Sequence, residues 1–146
     1  MLVHQILRAK ARELGEVLTI APSQTVAEAA RELSERRVGA LVVSPDGAQV
    51  VGILSERDII REMGRRGVAC LDDRVSSIMT AEVITCTPED LADHVLARMT
   101  GRRCRHMPVL REGRMVGLIS IGDVVKARLD ELSMEKEALK GMIMGY

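Results

Sequence analysis

The chain reads as an α/β (α+β) protein built from two pseudo-symmetric β-α-β-β-α units, with a helix added at each end. Three observations predict this class. The sequence repeats itself; its apolar residues switch between helical and strand periods in the same order in both copies; and its composition can build one aliphatic core.

The repeat comes first because it constrains everything after it. Val51-Gly52-Ile53-Leu54-Ser55-Glu56-Arg57-Asp58-Ile59-Ile60-Arg61 aligns with Val116-Gly117-Leu118-Ile119-Ser120-Ile121-Gly122-Asp123-Val124-Val125-Lys126 at an offset of 65 residues. Upstream the offset is 66, because the first copy carries one extra turn residue. There Pro22 meets Pro88, Leu33 meets Met99, Arg36-Arg37 meet Arg102-Arg103, Val43 meets Val109 and Gly47 meets Gly113. Two copies fall short of a solenoid, so a paired globule is expected.

Residues 1–15 form an amphipathic helical prelude carrying Leu2, Val3, Ile6 and Leu7. The first repeat, 16–70, opens with a short strand at Val17-Leu18-Thr19-Ile20, and each copy is expected to share this coarse pattern. In the helix that follows, Val26, Ala29, Ala30 and Leu33 recur at i, i+3, i+4, i+7, with Thr25 and Glu28 as a capping box. Ala40-Leu41-Val42-Val43 forms a buried strand, Asp46-Gly47 turns the chain, and Val50 to Leu54 forms a second strand running into a helix at Ser55. A charged connection from Gly64 to Ser77, with the linker proper at 71–78, leads to the second repeat at 79–133. There Ala92, Val95, Leu96 and Met99 repeat the helical face, Met107-Pro108-Val109-Leu110 the buried strand, Glu112-Gly113 the turn, and Met115 to Ile119 the second strand. A helix opens at Ser120. With nearly every position apolar, the strands read as covered on both faces. From Asp123 to about Met144 the chain reads as one long helix, 134–146 extending past the repeat. Val125, Leu129, Leu132, Leu139 and Ile143 form a near-heptad seam broken by Lys136, an apolar stripe that needs a partner surface, either a second chain, the more economical choice, or the chain's own repeats.

Composition excludes several functions. The 146 residues are 47% hydrophobic and 29% charged, a folded rather than disordered mixture. Lys plus Arg and Asp plus Glu both number 21, so the long-range attraction of a general nucleic-acid binder is missing. With one Tyr, no Phe and no Trp, there is no stacking platform for single strands. No apolar run approaches the roughly 20 residues that span a membrane. Cys70, Cys86 and Cys104 are odd in number and widely spaced, which predicts reduced thiols in a cytoplasmic protein rather than a disulfide framework.

Chemistry concentrates in a Ser-x-x-Asp motif that occurs twice, as Ser55-Glu56-Arg57-Asp58 and Ser120-Ile121-Gly122-Asp123. In one reading it is a helix cap, Ser on the first free amides and Asp against the positive helix end. In the other, a carboxylate held at a strand-to-helix junction accepts both hydroxyls of a ribose. A carboxylate has lone pairs enough for both roles. A second cluster, Arg102-Arg103-Cys104-Arg105-His106-Met107-Pro108, is either a solvated loop or a phosphate clamp in which His106 joins the arginines. Its first-repeat counterpart, Val38-Gly39-Ala40, is small: it either packs closely or leaves room for a flat base to lie on backbone.

These stretches, together with Leu41-Val42-Val43, Gly52-Ile53-Leu54, Met79-Thr80 and Gly117-Leu118-Ile119, resemble a tandem pair of CBS domains, often called a Bateman module, over roughly residues 16 to 130. The chain looks like a small stand-alone bacterial protein of this kind. The resemblance implies regulation without catalysis: an adenosine-containing ligand such as AMP, ADP, ATP, NAD or S-adenosylmethionine in the cleft between the repeats, a conformational change read by a regulated protein, and a flat homodimer. Carried over by residue, Ser120 and Asp123 hold the ribose of one site, Val38, Gly39, Ala40 and Leu118 line its adenine, and Arg105 and His106 meet the phosphate. The pseudo-symmetric site uses Ser55, Asp58 and Thr80, with Arg105, His106, Met107 and Pro108 near its base. Because small residues are replaced there by Arg105 and His106, the Asp123 site is expected to be the better nucleotide site.

No dinucleotide, P-loop, nucleophile-elbow or zincin motif occurs, and His4, His94 and His106 lack ligand spacing, so neither catalysis nor a metal is expected. Cys104 among arginines is a half-buried small residue or, less simply, a thiol of lowered pKa. The competing functional class is a ligand-free dimeric interaction protein that works through its C-terminal helix.

Overall fold

The computed structural model describes residues 1–14 and 17–145. In order the elements are α1 (Val3–Leu14), β1 (Thr19–Ile20), α2 (Val26–Arg36), β2 (Ala40–Val43), β3 (Gly52–Ser55), α3 (Glu56–Arg66), a 3₁₀ turn (Gly67–Asp72), α4 (Val75–Ile78), α5 (Ala92–Arg102), β4 (His106–Arg111), β5 (Arg114–Ser120) and α6 (Ile121–Met144). The mixed α/β class is as the sequence predicts, and the α-β-β-α part of the order recurs in both copies. The chain divides into two compact units, one made of Met1–Gly15, Cys86–Met107 and Ile119–Tyr146, the other of Glu16–Thr85 and Pro108–Leu118. The expected domain boundary between residues 15 and 16, and the chain end at residue 146, lie outside the described residues.

The second of these units holds a three-stranded sheet in the order β1-β2-β3. β1 runs parallel to β2, with Thr19 beside Val42, and α2 makes the crossover that a parallel pair requires. β2 and β3 are antiparallel, with Ala40 beside Ser55 and Val43 beside Gly52. α2 begins where Thr25 Oγ1 accepts the Glu28 N–H at 3.1 Å. Only half of the expected capping box forms: the Glu28 carboxylate turns to Gln24 Nε2 at 2.8 Å, leaving no reciprocal bond to Thr25. The helix buries Val26, Ala29 and Leu33, the larger two worth about 1.5–3 kcal/mol each. They join Ile20, Leu41, Val43, Leu54, Ile59 and Val75 in one core.

The inter-repeat connection is itself structured. Gly64 lies inside α3, and 67–78 folds into the 3₁₀ turn and α4. Cys70 and Val75 are fully buried, and backbone bonds from Val26 N to Asp73 O (2.9 Å), Val75 N to Gln24 O (2.8 Å) and Ser76 N to Pro22 O (3.1 Å) stitch the segment to the start of α2. The strands, moreover, are not uniformly covered. β2 is buried at all four positions, whereas β3 and the end of β5 alternate buried and half-buried, as strands with one wetter face do.

In the other unit α6 packs on α5 and on α1. Val3 and Ile6 of α1 and Ala92, Val95 and Met99 of α5 are buried, on the stripes the periodicity predicts, and α6 buries Val124 and Ala127, outside its near-heptad seam. The strand expected at the start of the second copy does not form. Among the described residues the stretch before α5 has only isolated bridges, at Cys86 and at Leu91, the latter to Leu2, and β4 and β5 make a separate two-stranded sheet. What occupies the chain there is α1: Val3 N and His4 N donate to Asp90 O (3.0 Å) and Pro88 O (2.9 Å), and Ala92 N donates to Met1 O at 2.9 Å. The β4–β5 turn takes Glu112 at φ 52° and Gly113 at φ 77°, two successive left-handed residues as a tight hairpin of matching twist needs.

Candidate functional site

Each Ser-x-x-Asp motif is a complete reciprocal capping box at a strand-to-helix junction. At the start of α3, Ser55 Oγ accepts the Asp58 N–H at 3.3 Å, while Asp58 Oδ2 accepts the Ser55 N–H at 2.9 Å and the Ser55 hydroxyl at 3.1 Å. At the start of α6, Ser120 Oγ accepts the Asp123 N–H at 3.1 Å, and Asp123 Oδ2 accepts the Ser120 N–H at 2.8 Å. The serines hold near-identical extended backbone, φ −106° and −104°. The next amide is secured the same way in both: Glu56 N donates to Gly39 O (3.0 Å) and Ile121 N to Arg105 O (2.9 Å). Gly39 and Arg105 are themselves equivalent in the repeat, so the duplication extends to the hydrogen bonding.

The two units therefore gather different subsets of the predicted residues. One brings Val38, Gly39 and Ala40 to the start of β2, Ser55 and Asp58 to the end of β3, and Thr80 beside β3, where it exchanges bonds with Ile53 at 2.9 and 3.0 Å. That pairing explains Gly52. A Cβ there would stand 2.5 Å from Met79 Sδ and 3.0 Å from the Thr80 carbonyl. Pro108 and Leu118 belong to the same unit. The other brings Arg105, His106 and Met107 together with Ser120 and Asp123.

The arginine cluster is divided by secondary structure. Arg102 is the last residue of α5, and Arg103 is its left-handed cap at φ 54°. Arg37 does the same for α2 at φ 54°, so the paired arginines of the repeat are helix ends. Arg105 is exposed, His106 half-buried, and Met107 and Pro108 are buried. Met107 is 0% exposed, so its backbone, not its side chain, is what it offers a ligand.

The two carboxylates differ in their cations. Asp58 has Arg61 of its own helix at 3.6 Å, an arginine side chain 69% exposed. Asp123 has Lys10 of α1 at 2.7 Å, with both side chains about a quarter exposed. Burial pushes the Asp123 carboxyl up, but the Lys10 hydrogen bond, the Ser120 N–H and the Lys10 charge outweigh it and hold it below the usual range. Sequence reasoning missed Lys10. Its signal was present: Val3, Ile6, Leu7 and Lys10 stand at i, i+3, i+4 and i+7, so Lys10 is a cation on an otherwise apolar stripe.

Other chemistry finds little support. Among the described residues no three His, Cys, Asp or Glu side chains are grouped to hold a metal. Cys70 and Cys86 are buried free thiols, and burial, assisted by the Asp90 charge, pushes Cys86 up to about 11, which keeps it protonated and poorly nucleophilic. Among the described residues no helix is long and apolar enough to cross a membrane.

Comparison with known proteins agrees with this geometry. The family model of the CBS domain matches residues 11–65 and again 75–130. The chain is 35% identical to the "CBS domain-containing protein CBSX3, mitochondrial" of Arabidopsis thaliana, over 98% of this chain and 72% of that protein. The crystal structure of the CBS-domain containing protein ATU1752 from Agrobacterium tumefaciens is 40% identical, with TM-score 0.81, covering 88% of this chain and 99% of that one. The CBS domain pair of protein MJ0100, solved with 5′-methylthioadenosine and S-adenosyl-L-methionine, shares the fold at 24% identity and TM-score 0.74, over 90% of this chain and 98% of that one.

Proposed function

Since the chain belongs to the CBS-domain family, we propose that it is a non-enzymatic regulatory module that binds an adenosine-containing ligand of the AMP, ATP, NAD or S-adenosylmethionine class. Asp123 and Ser120 hold the ribose, Val38, Gly39, Ala40 and Leu118 take the adenine, and Arg105 and His106 meet the phosphate. Ser55, Asp58 and Thr80 form the second, weaker site. The observation that carries this reading is the twin capping box: the same carboxylate is held in the same way at both junctions, only 22% and 12% exposed, at the positions the family resemblance assigns to ribose. The adenosyl ligands of MJ0100 support the ligand class.

The module is a cytoplasmic homodimer whose ligand-dependent change is read by a regulated protein. Such a switch requires different ligand affinity in two states. Leu129, Leu132, Leu139 and Ile143 of α6 are 45–81% exposed, and α6 is the surface we assign to the second copy. The same exposure favours a second reading, a ligand-free dimeric interaction protein working through α6.

Thermal unfolding with millimolar AMP, ATP, NAD or S-adenosylmethionine tests the choice. Ligand at 100 times its Kd adds about 2.7 kcal/mol, which raises Tm by roughly 5–11 °C in a domain of this size. If none of the four moves Tm, the ligand-binding reading is wrong and the interaction reading stands.

A further inference from the structure

The long helix α6 has two faces. Val124 and Ala127 are buried, and Arg128 and Glu131 half-buried, where it packs on α1 and α5. Val125, Leu129, Leu132, Leu139 and Ile143 lie on a different face and are 43–81% exposed. With Lys136 counted in, their spacings are four, three, four, three and four, the alternation of d and a positions in a coiled-coil heptad. Val125, Leu132 and Leu139 are then d; Leu129, Lys136 and Ile143 are a. Leucines at d with a single lysine at a suit a two-stranded pair of fixed register.

The residues beside the seam choose the direction of the pair. Glu135 falls at g, and Lys126 and Lys140 fall at e. In a parallel pair each g residue faces the e residue of the next heptad in the partner, so Glu135 meets the partner's Lys140, twice by symmetry. The two Lys136 ammoniums leave the seam along their apolar stems toward the partner's Glu135, at a cost in stability. In an antiparallel pair g faces g and e faces e. Glu135 then meets its own copy and Lys126 meets the partner's Lys140, and like charges repel. Lys140 already holds Glu137 of its own helix, at 3.8 Å with both side chains mostly exposed, a pair too weak to keep it from the partner.

We infer that α6 associates with the α6 of a second copy as a parallel, in-register two-stranded coiled coil, joined by Glu135 and Lys140 on either side of the seam. The inference rests on the homodimer reading above and gives that dimer its direction.

Cysteine cross-linking of the full chain tests it. Leu139 is exposed, so Leu139→Cys spares the core, and Cys104→Ser removes the half-buried native thiol. In the parallel coil the two residues 139 stand opposite each other, and oxidised glutathione closes a disulfide between the copies while its own is reduced to two thiols. In an antiparallel coil residue 139 opposes residue 129, and the two new thiols are out of disulfide reach. Sedimentation equilibrium gives a second readout. Glu135→Lys and Lys140→Glu each weaken the dimer by about threefold or more, the loss of two exposed pairs, and the double reversal restores it. If the protein is a dimer that does not cross-link through residue 139, or if Lys140→Glu tightens it, the parallel coil is overturned while the homodimer reading survives. If the unaltered chain sediments as a monomer at every concentration, the homodimer reading is overturned, and this inference with it.

Discussion

At both junctions one carboxylate serves a helix cap and, in our reading, a ligand, and the two roles separate by mutation. Ser120→Ala removes the oxygen that accepts the Asp123 N–H at 3.1 Å but leaves the Ser120 N–H on Asp123 at 2.8 Å. Losing such a cap costs about 1 kcal/mol, hence about 2–4 °C in Tm. Asp123→Ala is worse, because it strips the acceptor from a part-buried backbone N–H and the partner from Lys10. The first loss alone costs about 1–3 kcal/mol. Asp123→Asn keeps a side-chain oxygen for the Ser120 N–H, so it retains most of the cap, but it replaces the other oxygen with an NH₂ group that cannot accept from a diol. Expected, then, is an apo Tm order of wild type, Asp123→Asn, Ser120→Ala, Asp123→Ala from highest to lowest. AMP affinity follows a different order. Asp123→Asn loses about tenfold or more, since a charge-assisted bond is worth about 1.5–3 kcal/mol, while Ser120→Ala, with its carboxylate intact, loses less. Differential scanning calorimetry of the four proteins, with and without AMP, reads both axes. An Asp123→Asn variant that binds AMP as tightly as wild type would refute the anchor, and a Ser120→Ala variant with unchanged apo Tm would refute the cap.

Two further outcomes are expected. Gly52→Ala forces a Cβ to within 3.0 Å of the Thr80 carbonyl, which is pinned by the Ile53 N–H at 3.0 Å. Met79 can swing its side chain away but that carbonyl cannot, so urea unfolding should show a loss of about 1–3 kcal/mol, and an unchanged midpoint would mean that the Met79–Thr80 segment is not held against β3. The second outcome concerns acid. The folded Asp123 carboxyl titrates below its unfolded value, so its contribution is fully present above the unfolded pKa of about 3.9 and is lost as pH falls through the lower folded value. Urea midpoints measured from pH 6 down to pH 3 should therefore fall less steeply for Asp123→Asn than for wild type, and parallel curves would show that the Lys10 pair adds nothing.

Much of this was legible in the chain, for reasons that differ by element. The caps at Ser55 and Ser120 were readable because capping is local: it needs residues three apart, and the repeat shows them twice. The buried faces of α2 and α5 were readable because one apolar stripe recurs at helical spacing in both copies. One miss is local: the capping box at Thr25 formed only in half, because Gln24, four residues before Glu28, offered it a competing amide. The others are non-local. The connection from Gly64 to Ser77 reads in the sequence only as a charged link, yet Cys70 and Val75 anchor it in the core and its backbone bonds run to residues some fifty positions earlier. The missing first strand of the second copy has the same kind of cause: backbone bonds from α1 go to residues 88 and 90 at the entry to α5, and no pattern within the repeat encodes the prelude's docking.

Lys10 is the most consequential of these non-local features. Duplication alone would yield two equivalent junctions. Seating an unduplicated helix on one of them makes the pair unequal without altering either Ser-x-x-Asp motif, because the helix changes the charge that the carboxylate faces rather than the carboxylate's own geometry. The sequence comparison within the repeat pointed to the same inequality from other residues, Arg105 and His106 standing where the first copy has Gly39 and Ala40. Two departures from symmetry, Lys10 on Asp123 and Arg105 with His106 in place of small residues, thus fall in the unit that holds Ser120 and Asp123, and the two junctions are not expected to bind alike.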